Sequence, residues 1–484
     1  MRYLLNEHFR LRAWYQQPTG LLDIRRKEAH FLSKNAYMIL LQCDGAHDLQ
    51  PETMPEEDRL CLESFVRDKI VRPVMPGNYL RPEQEYKTYP AGYRRNVHWS
   101  ITGLCNMKCR HCFMSAPHAR HGNPSREELL RTVDQLAECG IFQVGITGGE
   151  PLIRDDFLEI VDRLKAHEIG VSTIFTNGWL VNEELLDALE SRRMHPGFQL
   201  SFDGIGWHDF LRGIPGAEEK TLRALRLLQA RRYNVAVSMC LHRKNAETVR
   251  ETVRLMAALG VSSMKCNIVM DLGEWADPDL QDLKLTPEEE EKIYEAYIPQ
   301  YFEDGAPLAI SLGGAFTYTP GEKEWRIHYE CVCSEADEDC MPSCGILLSE
   351  CYIGADGMVA PCMAMCDTNY AHHFPNLRDM PLWKILRDSE VVRLCQTSVG
   401  DVRHYREQCA GCEWIGRCIG GCRSEALRLT DDYYAADPVI CRFYRNGWDK
   451  AIRAAAQPAF EAYLRRNPLK EGQRMEAKGD LSCP

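Results

Sequence analysis

Three cysteines, Cys105, Cys109 and Cys112, are spaced C-x3-C-x2-C within GLCNMKCRHC. A tight loop of that length can aim three thiolates at one centre, and thiolates suit zinc or an iron–sulfur cluster. Three thiolates on a four-iron cluster leave one iron open to a substrate or cofactor; the plainer readings are a zinc knuckle or unrelated thiols. Farther along, Gly148-Gly149-Glu150-Pro151 closes an apolar run. Two glycines allow close backbone approach there, and a carboxylate can accept from an amino group. Thr176-Asn177-Gly178, Ser201-Phe202-Asp203-Gly204, His208-Asp209 and Arg212-Gly213 each read alone as a turn. Together they supply the donors and acceptors that a zwitterionic nucleoside needs.

A second constellation follows. Cys344, Gly357 and Cys362 read C-x12-G-x4-C; Cys409, Cys412, Cys418 and Cys422 read C-x2-C-x5-C-x3-C, with Cys441 beyond. Paired short spacings mean a metal site, and zinc is the plain choice. Four cysteines satisfy one tetrahedral zinc, whereas at least seven stand in order here, and Cys351 is a natural eighth for two four-ligand sites. The full count is 22 Cys in 484 residues. Thirteen fall in residues 331–441, eight lie before that segment, and Cys483 stands in the tail. A disulfide scaffold would spread its cysteines more evenly.

The elements that position these groups are legible as patterns. Apolar, β-branched runs fall at Val97–Thr102, Ile141–Thr147, Val171–Thr176, Phe198–Phe202, Val235–Leu241 and Val261–Val269, with helical periodicity between them. Ser125 and Glu128 fit a capping box, and Gly140, Gly170 and Gly260 stand where helices should stop. Six β–α units predict an α/β fold, a partial (β/α)6 TIM-like barrel with its ligands at the C-terminal ends of the strands. That barrel would span residues 91–305. Residues 306–450 read as an irregular, Cys-rich domain leaning on metal for its core, and 451–484 as a helix with a frayed tail. In residues 1–90, two short strands around Gln17-Pro18-Thr19-Gly20 precede a helix capped by Ser33. A second helix, Glu57–Lys69, should turn Leu60, Phe65 and Val66 inward. Hairpin plus helices suggests a winged-helix module or a folding cap on the barrel.

Composition narrows the rest. At 45% hydrophobic residues the chain can bury a sizeable core, and its net charge of −12 disfavours nucleic acid or an anionic membrane as partner. No run resembles a signal peptide or a span of about 20 apolar residues, so a cytoplasmic protein with no membrane partner is expected.

GLCNMKCRHC and GGEP, in this order and on these elements, resemble the radical S-adenosylmethionine (SAM) superfamily over about 97–269. The resemblance implies that Cys105, Cys109 and Cys112 hold a [4Fe-4S] cluster whose open iron chelates the methionyl group of SAM. An external one-electron donor such as flavodoxin or ferredoxin would drive its cleavage to a 5′-deoxyadenosyl radical that abstracts a substrate hydrogen. Gly148, Gly149 and Glu150 would bind the methionyl amine. Ser201, Asp203 and Arg212 would hold the carboxylate and ribose, Asn177 would line the same mouth, and His111 would meet the adenine. The later cysteines resemble the SPASM domain, which follows such barrels in peptide-modifying enzymes and carries two auxiliary [4Fe-4S] clusters, three clusters in all. Cys344, Cys351, Cys362 and Cys422 would ligate one, and Cys409, Cys412, Cys418 and Cys441 the other. Without Cys351, the first would keep an open iron.

Residues 5–75 resemble the winged-helix peptide-recognition element of ribosomal-peptide maturation, which binds the leader of a precursor peptide as an added strand. The whole therefore resembles a maturase that closes a crosslink in a precursor peptide, with a thioether expected first and a carbon–carbon or carbon–oxygen bond next. Formylglycine formation is the enzymatic alternative, but that family's general-base Asp directly follows the Cys at position 362, where Met363 stands. A non-catalytic iron–sulfur electron carrier or a zinc-stabilised peptide-binding protein is the alternative from another class, and GGEP argues against it. No catalytic acid or base stands out from spacing.

Overall fold

The computed structural model describes residues 1–116, 120–269, 273–327, 333–405 and 407–468; Cys331 and Cys483 lie outside them. The chain opens with β1 (Arg2–Leu5), β2 (Phe9–Tyr15), β3 (Gln17–Asp23) and β4 (Glu28–Phe31). Helices α1 (Lys34–Leu41) and α2 (Glu56–Arg67) follow, then β5 (Val71–Val74) and β6 (Lys87–Gly92). β4, β3 and β2 form an antiparallel meander that β6 joins in parallel, while β5 pairs with β1. Ser33 caps α1 as expected, its Oγ accepting from Ala36 N at 3.2 Å. The hairpin turn falls instead on Gln16, which adopts φ +65°, so Pro18 and Gly20 lie within β3. Leu60 points outward, 53% exposed, because α2 buries Leu62 and Phe65 on the face toward α1 and the sheet.

The expected β–α alternation forms throughout. It runs β7 (Asn96–Ser100), α3 (Arg126–Glu138), β8 (Gln143–Thr147), α4 (Phe157–Ala166), β9 (Gly170–Thr176), α5 (Glu183–Ser191) and β10 (Gly197–Ser201). Then come α6 (His208–Arg212), α7 (Ala217–Ala230), β11 (Val235–Leu241), α8 (Val249–Ala258) and β12 (Ser263–Ile268). These six strands pair in parallel in chain order. The Ser125–Glu128 capping box is present. Gly140 and Gly260 take φ +69° and +79° past α3 and α8. Gly170 does not; Glu168 carries the left-handed turn after α4, and Gly170 opens β9.

The sheet continues past the six expected strands. After α9 (Pro287–Glu303), β13 (Ala309–Leu312) adds in parallel to β12, and β14 (Phe316–Tyr318) folds back on it. On the other edge β15 (Glu350–Ile353) joins β7 in parallel and β16 (Val359–Ala360) returns beside it, giving ten strands. The segment expected to be irregular thus lends strands to both edges of the barrel sheet. It then continues as short helices around the later cysteines and ends in a helix at Trp448–Arg466.

Strand alternation sets the two faces. Val144, Ile146, Phe198, Leu200, Val235, Val237, Met264, Cys266, Ile310 and Leu312 are buried in one continuous core beneath the helices. Their neighbours in the strands, such as Gln199, Ser201, Ser238 and Lys265, turn to the concave inner face. Among the described residues, no helix is long and apolar enough to cross a membrane.

Candidate cluster and cofactor site

The C-x3-C-x2-C loop leaves β7 at its C-terminal end and lies across the ends of β8 and β9, because backbone clamps it there. Gly149 N donates to Thr102 O at 2.8 Å and Glu150 N to Leu104 O at 2.9 Å. These contacts require both glycines. A Cβ on Gly148, whose φ is +155°, would stand 2.5 Å from Thr102 O, and one on Gly149 would stand 2.2 Å from Leu104 O. The GGEP turn is therefore the seat of the cysteine loop as well as a candidate binding group.

Each of the three thiols receives an N–H donor. Met107 N approaches Cys105 Sγ at 3.4 Å, Ala116 N approaches Cys112 Sγ at 3.3 Å, and Arg212 Nη1 approaches Cys109 Sγ at 3.7 Å. Burial pushes Cys105 up to about 12, and the neighbouring Cys109 and Cys112 add to the rise. Three converging sulfurs furnished with donors suit thiolate ligation of an iron–sulfur cluster, whose sulfurs accept such bonds.

Glu150 is fully buried behind this loop. Its Oε1 accepts from the Thr176 hydroxyl at 2.8 Å and Leu152 N at 3.1 Å, and its Oε2 from Asn177 N at 2.7 Å. Burial raises its carboxyl to about 7, against these lowering bonds. Three of about four lone-pair sites are filled, which leaves one for an amino group. Asn177 Nδ2 donates to Asn106 Oδ1 at 2.8 Å and lies 3.9 Å from Cys105 Sγ, tying the end of β9 to the loop.

Asp203 and Arg212 pair with each other, Nε to Oδ2 at 2.7 Å, with Asp203 fully buried and Arg212 reaching the mouth with a small exposed edge. Burial alone would raise Asp203; Arg212, then His208, outweigh it and hold the carboxylate well below its ordinary range. Asp203 Oδ1 also accepts from Cys240 N at 3.0 Å. Arg212 Nη2 has no partner among the described residues and is available to a carboxylate at the mouth. Side-chain donor atoms of His111, Asp203 and Cys240 lie within 4.8 Å of one another. Arg212 already supplies the positive charge there, so the trio suits a polar ligand better than a cation. His111 Nδ1 is buried without a partner, and burial, reinforced by Arg212, lowers the ring to about 3, so it is neutral. Ser201 ends β10 on the inner face, beside Ser238. Cys240, which spacing did not single out, faces the same mouth; its signal was the apolar-polar alternation of VAVSMCL.

The later cysteines fall into two groups. Cys409, Cys412, Cys418 and Cys441 line one small cavity with Ile415, Gly420 and Arg445. Cys344, Cys362 and Cys422 form the other: burial raises Cys362 to about 12, and Cys422 and Cys344 add to it. Cys351 stands apart from this trio. It pairs in register with Val97, and its thiol is buried in the barrel core beside Arg94, Cys395 and Cys139. Cys366 neighbours Cys362, and Cys395 neighbours Cys344. Two further groups, not anticipated from spacing, brace this region. The buried Arg423 guanidinium donates to the carbonyls of Tyr433, Ala435 and Gly420, and Asp437 accepts from Cys422 N at 2.9 Å.

Residues 99–256 match the profile of the Radical SAM superfamily, and residues 344–413 match SPASM, an iron–sulfur cluster-binding domain. The chain carries a radical SAM domain and a SPASM domain. These domains imply [4Fe-4S] clusters and SAM, and the donor sets above fit both. The AdoMet-dependent heme synthase of Methanosarcina barkeri is 25% identical over 362 residues, covering 73% of this chain and 97% of its own. Among solved structures, Streptococcus suis SuiB bound to precursor peptide SuiA superposes with a TM-score of 0.61 at 15% identity, over 90% of this chain and 99% of its own. Native anSMEcpe with AdoMet and the Cp18Cys peptide gives 0.54 at 19% identity, over 77% and 99%.

Proposed function

We propose that this protein is a radical SAM maturase of a ribosomally made precursor peptide, forming an intramolecular crosslink, a thioether first and a carbon–carbon or carbon–oxygen bond next. The observation that carries this reading is extent. SuiB with its precursor peptide superposes over 90% of the chain, whereas the heme synthase of M. barkeri matches 73% while using nearly all of its own length. The chain therefore has structure beyond that relative, and the meander with two helices ahead of the barrel is a unit of the right kind to hold a leader peptide.

A cluster on Cys105, Cys109 and Cys112, with SAM on its open iron, would supply a 5′-deoxyadenosyl radical. In this reading Glu150 accepts the methionyl amine through its remaining lone pair, and Arg212, fixed by Asp203, offers Nη2 to the carboxylate. Ser201 meets the ribose, Asn177 holds the loop against β9, and neutral His111 lies against the adenine. Closing a thioether removes two hydrogens from the peptide: one goes to deoxyadenosine, and the other leaves as a proton and an electron. The Cys409–Cys441 cavity and the Cys344 group are the donor sets for auxiliary clusters able to take that electron, while an external one-electron donor starts the cycle. Cys366, which neighbours Cys362, is the fourth ligand of the Cys344 group, or that position is left open.

Anaerobic reconstitution with SAM, reductant and a candidate precursor peptide drawn from neighbouring reading frames tests this. The expected products are 5′-deoxyadenosine and a peptide lighter by two hydrogen atoms. Turnover with an unchanged peptide mass would overturn the crosslink. A second reading, radical chemistry on a tetrapyrrole, is favoured by the names of the curated relatives; consumption of a porphyrin substrate in the same assay would select it.

A further inference from the structure

The inner face of the barrel carries a cation that no role above uses. Lys265 lies mid-strand in β12, between Met264 and Cys266, which are buried under the helices, so its side chain projects into the concave face, where it is exposed. Register places a row of hydroxyls on either side: Ser201 pairs with Ser238, Ser238 with Lys265, Lys265 with Ser311, and Ser311 with Thr317. No hydrogen bond or ion pair joins Lys265 Nζ to any described residue. Three carboxylates of the barrel are engaged, Asp203 by Arg212, Glu150 by Thr176 and Asn177, and Glu350 by His98 and Arg95, while Glu274 lies beside Cys112 at the cluster loop.

Its cross-strand neighbours on this face, Ser238 and Ser311, are neutral hydroxyls, so among the described residues the Lys265 ammonium lacks a counter-charge, and hydroxyls can donate to the same anion. Ser201, expected at the SAM end of the row, is two strands from Lys265, about 10 Å along the sheet at ordinary strand spacing. Lys265 thus stands past the methionyl clamp, on the side where a substrate must lie. We propose that Lys265, with Ser238 and Ser311, forms a carboxylate-binding subsite that takes an acidic side chain of the peptide next to the residue that reacts. This rests on reading the barrel mouth as the reaction site. It predicts that the modified stretch of the precursor contains Asp or Glu.

The test is a footprint on the reconstituted holoenzyme with SAM bound, and it requires no turnover. Lys265 is acetylated by an amine-reactive ester and the adduct is quantified by mass spectrometry of the digest. Probes are glutarate, acetyl-Ala-Glu-Ala-amide, its Gln counterpart, and haem as a propionate-bearing tetrapyrrole. Lys265 should label readily in the free enzyme. Glutarate and the Glu peptide should slow labelling about threefold or more at ~20 mM, since a charge-assisted bond reinforced by two hydroxyl donors binds in the millimolar range. The Gln peptide should not. An unreactive Lys265, no protection by any carboxylate, or equal protection by the Gln peptide would each overturn the subsite. Protection by haem alone would overturn the peptide as the source of the carboxylate. Deoxyadenosine release, assayed separately on the same preparation, fails only if the catalytic reading itself fails.

Discussion

At the scale of single residues, the site divides into groups that hold a cofactor and groups that hold those groups. Cys109 is of the first kind: its sulfur faces Arg212 and no other thiol in the loop replaces it. Cys109→Ala should reduce deoxyadenosine release to background in an anaerobic assay; persistent release would place SAM cleavage elsewhere. Glu150 is of both kinds, since its oxygens tie the ends of β8 and β9 together while one lone pair stays open. Glu150→Gln keeps the shape and removes the charge. A charge-assisted bond contributes about 1.5–3 kcal/mol, so SAM affinity should fall about tenfold or more in equilibrium dialysis. Unchanged affinity would remove Glu150 from the amine site. Arg212 could not be ranked from sequence, because only the fold shows that Asp203 fixes one edge of its guanidinium while Cys109 meets another.

At the scale of elements, the strand-loop junctions are the sensitive points. Gly149→Ala places a methyl 2.2 Å from the Leu104 carbonyl, a backbone atom with nowhere to move except with the cysteine loop. Overpacking of this kind costs about 1–3 kcal/mol. The variant should therefore melt lower and, after reconstitution, retain about four fewer irons per chain, as counted by iron analysis. Full iron content would show that the loop tolerates displacement. Helix α9 offers a separate test. Burial, then Glu295 and Glu290, raises Glu291 to about 8, and its Oε1 has no partner among the described residues. A raised carboxyl pKa means the folded chain binds more protons than the unfolded one above about pH 4.5, so stability falls as pH rises toward 8. Glu291→Gln removes that fall, and its advantage in unfolding free energy, measured by denaturant titration, should be larger at about pH 8 than at about pH 5, by order 1 kcal/mol. A constant difference would show that Glu291 is ionised in the fold. The elements themselves were legible where periodicity is long: six strands, five helices between them and the Ser125 cap fall where the residues put them. β13 to β16 were not legible, because strands of two to four residues in a Cys-rich stretch carry no usable period, and their pairing with β12 and β7 is set by tertiary contact. Leu60 was misjudged for the same reason: an amphipathic helix with apolar residues at 60, 62 and 65 has more than one plausible inner face, and packing chose Leu62 and Phe65.

At the scale of the whole molecule, the amino-terminal unit docks far from the cysteine loop. Arg10 pairs with Glu168 at 2.7 Å, Trp14 Nε1 donates to Cys139 O at 3.1 Å, and Lys27 Nζ reaches Val171 O at 3.4 Å. These partners lie at the N-terminal ends of β8 and β9, opposite the mouth. In the proposed function, a leader held on this unit must therefore send its modified stretch around the barrel edge to reach the chemistry. The sheet's two edges are β4 and β6, and β6 packs against the helix at Leu382–Asp388, which leaves β4 as the edge open to strand addition. Leu32 N donates to Thr19 O and His30 pairs with Leu21, so alternation turns the N–H groups of Ala29 and Phe31 outward. Ala29→Pro deletes one outward donor without touching the β3 ladder. Affinity for a fluorescently labelled leader peptide, measured by anisotropy, should fall about tenfold as a bound strand loses a backbone bond and its fit. The melting temperature should move by no more than a few degrees. Undiminished leader affinity in a folded Ala29→Pro protein would remove β4 as the docking edge and leave the unit a cap on the barrel.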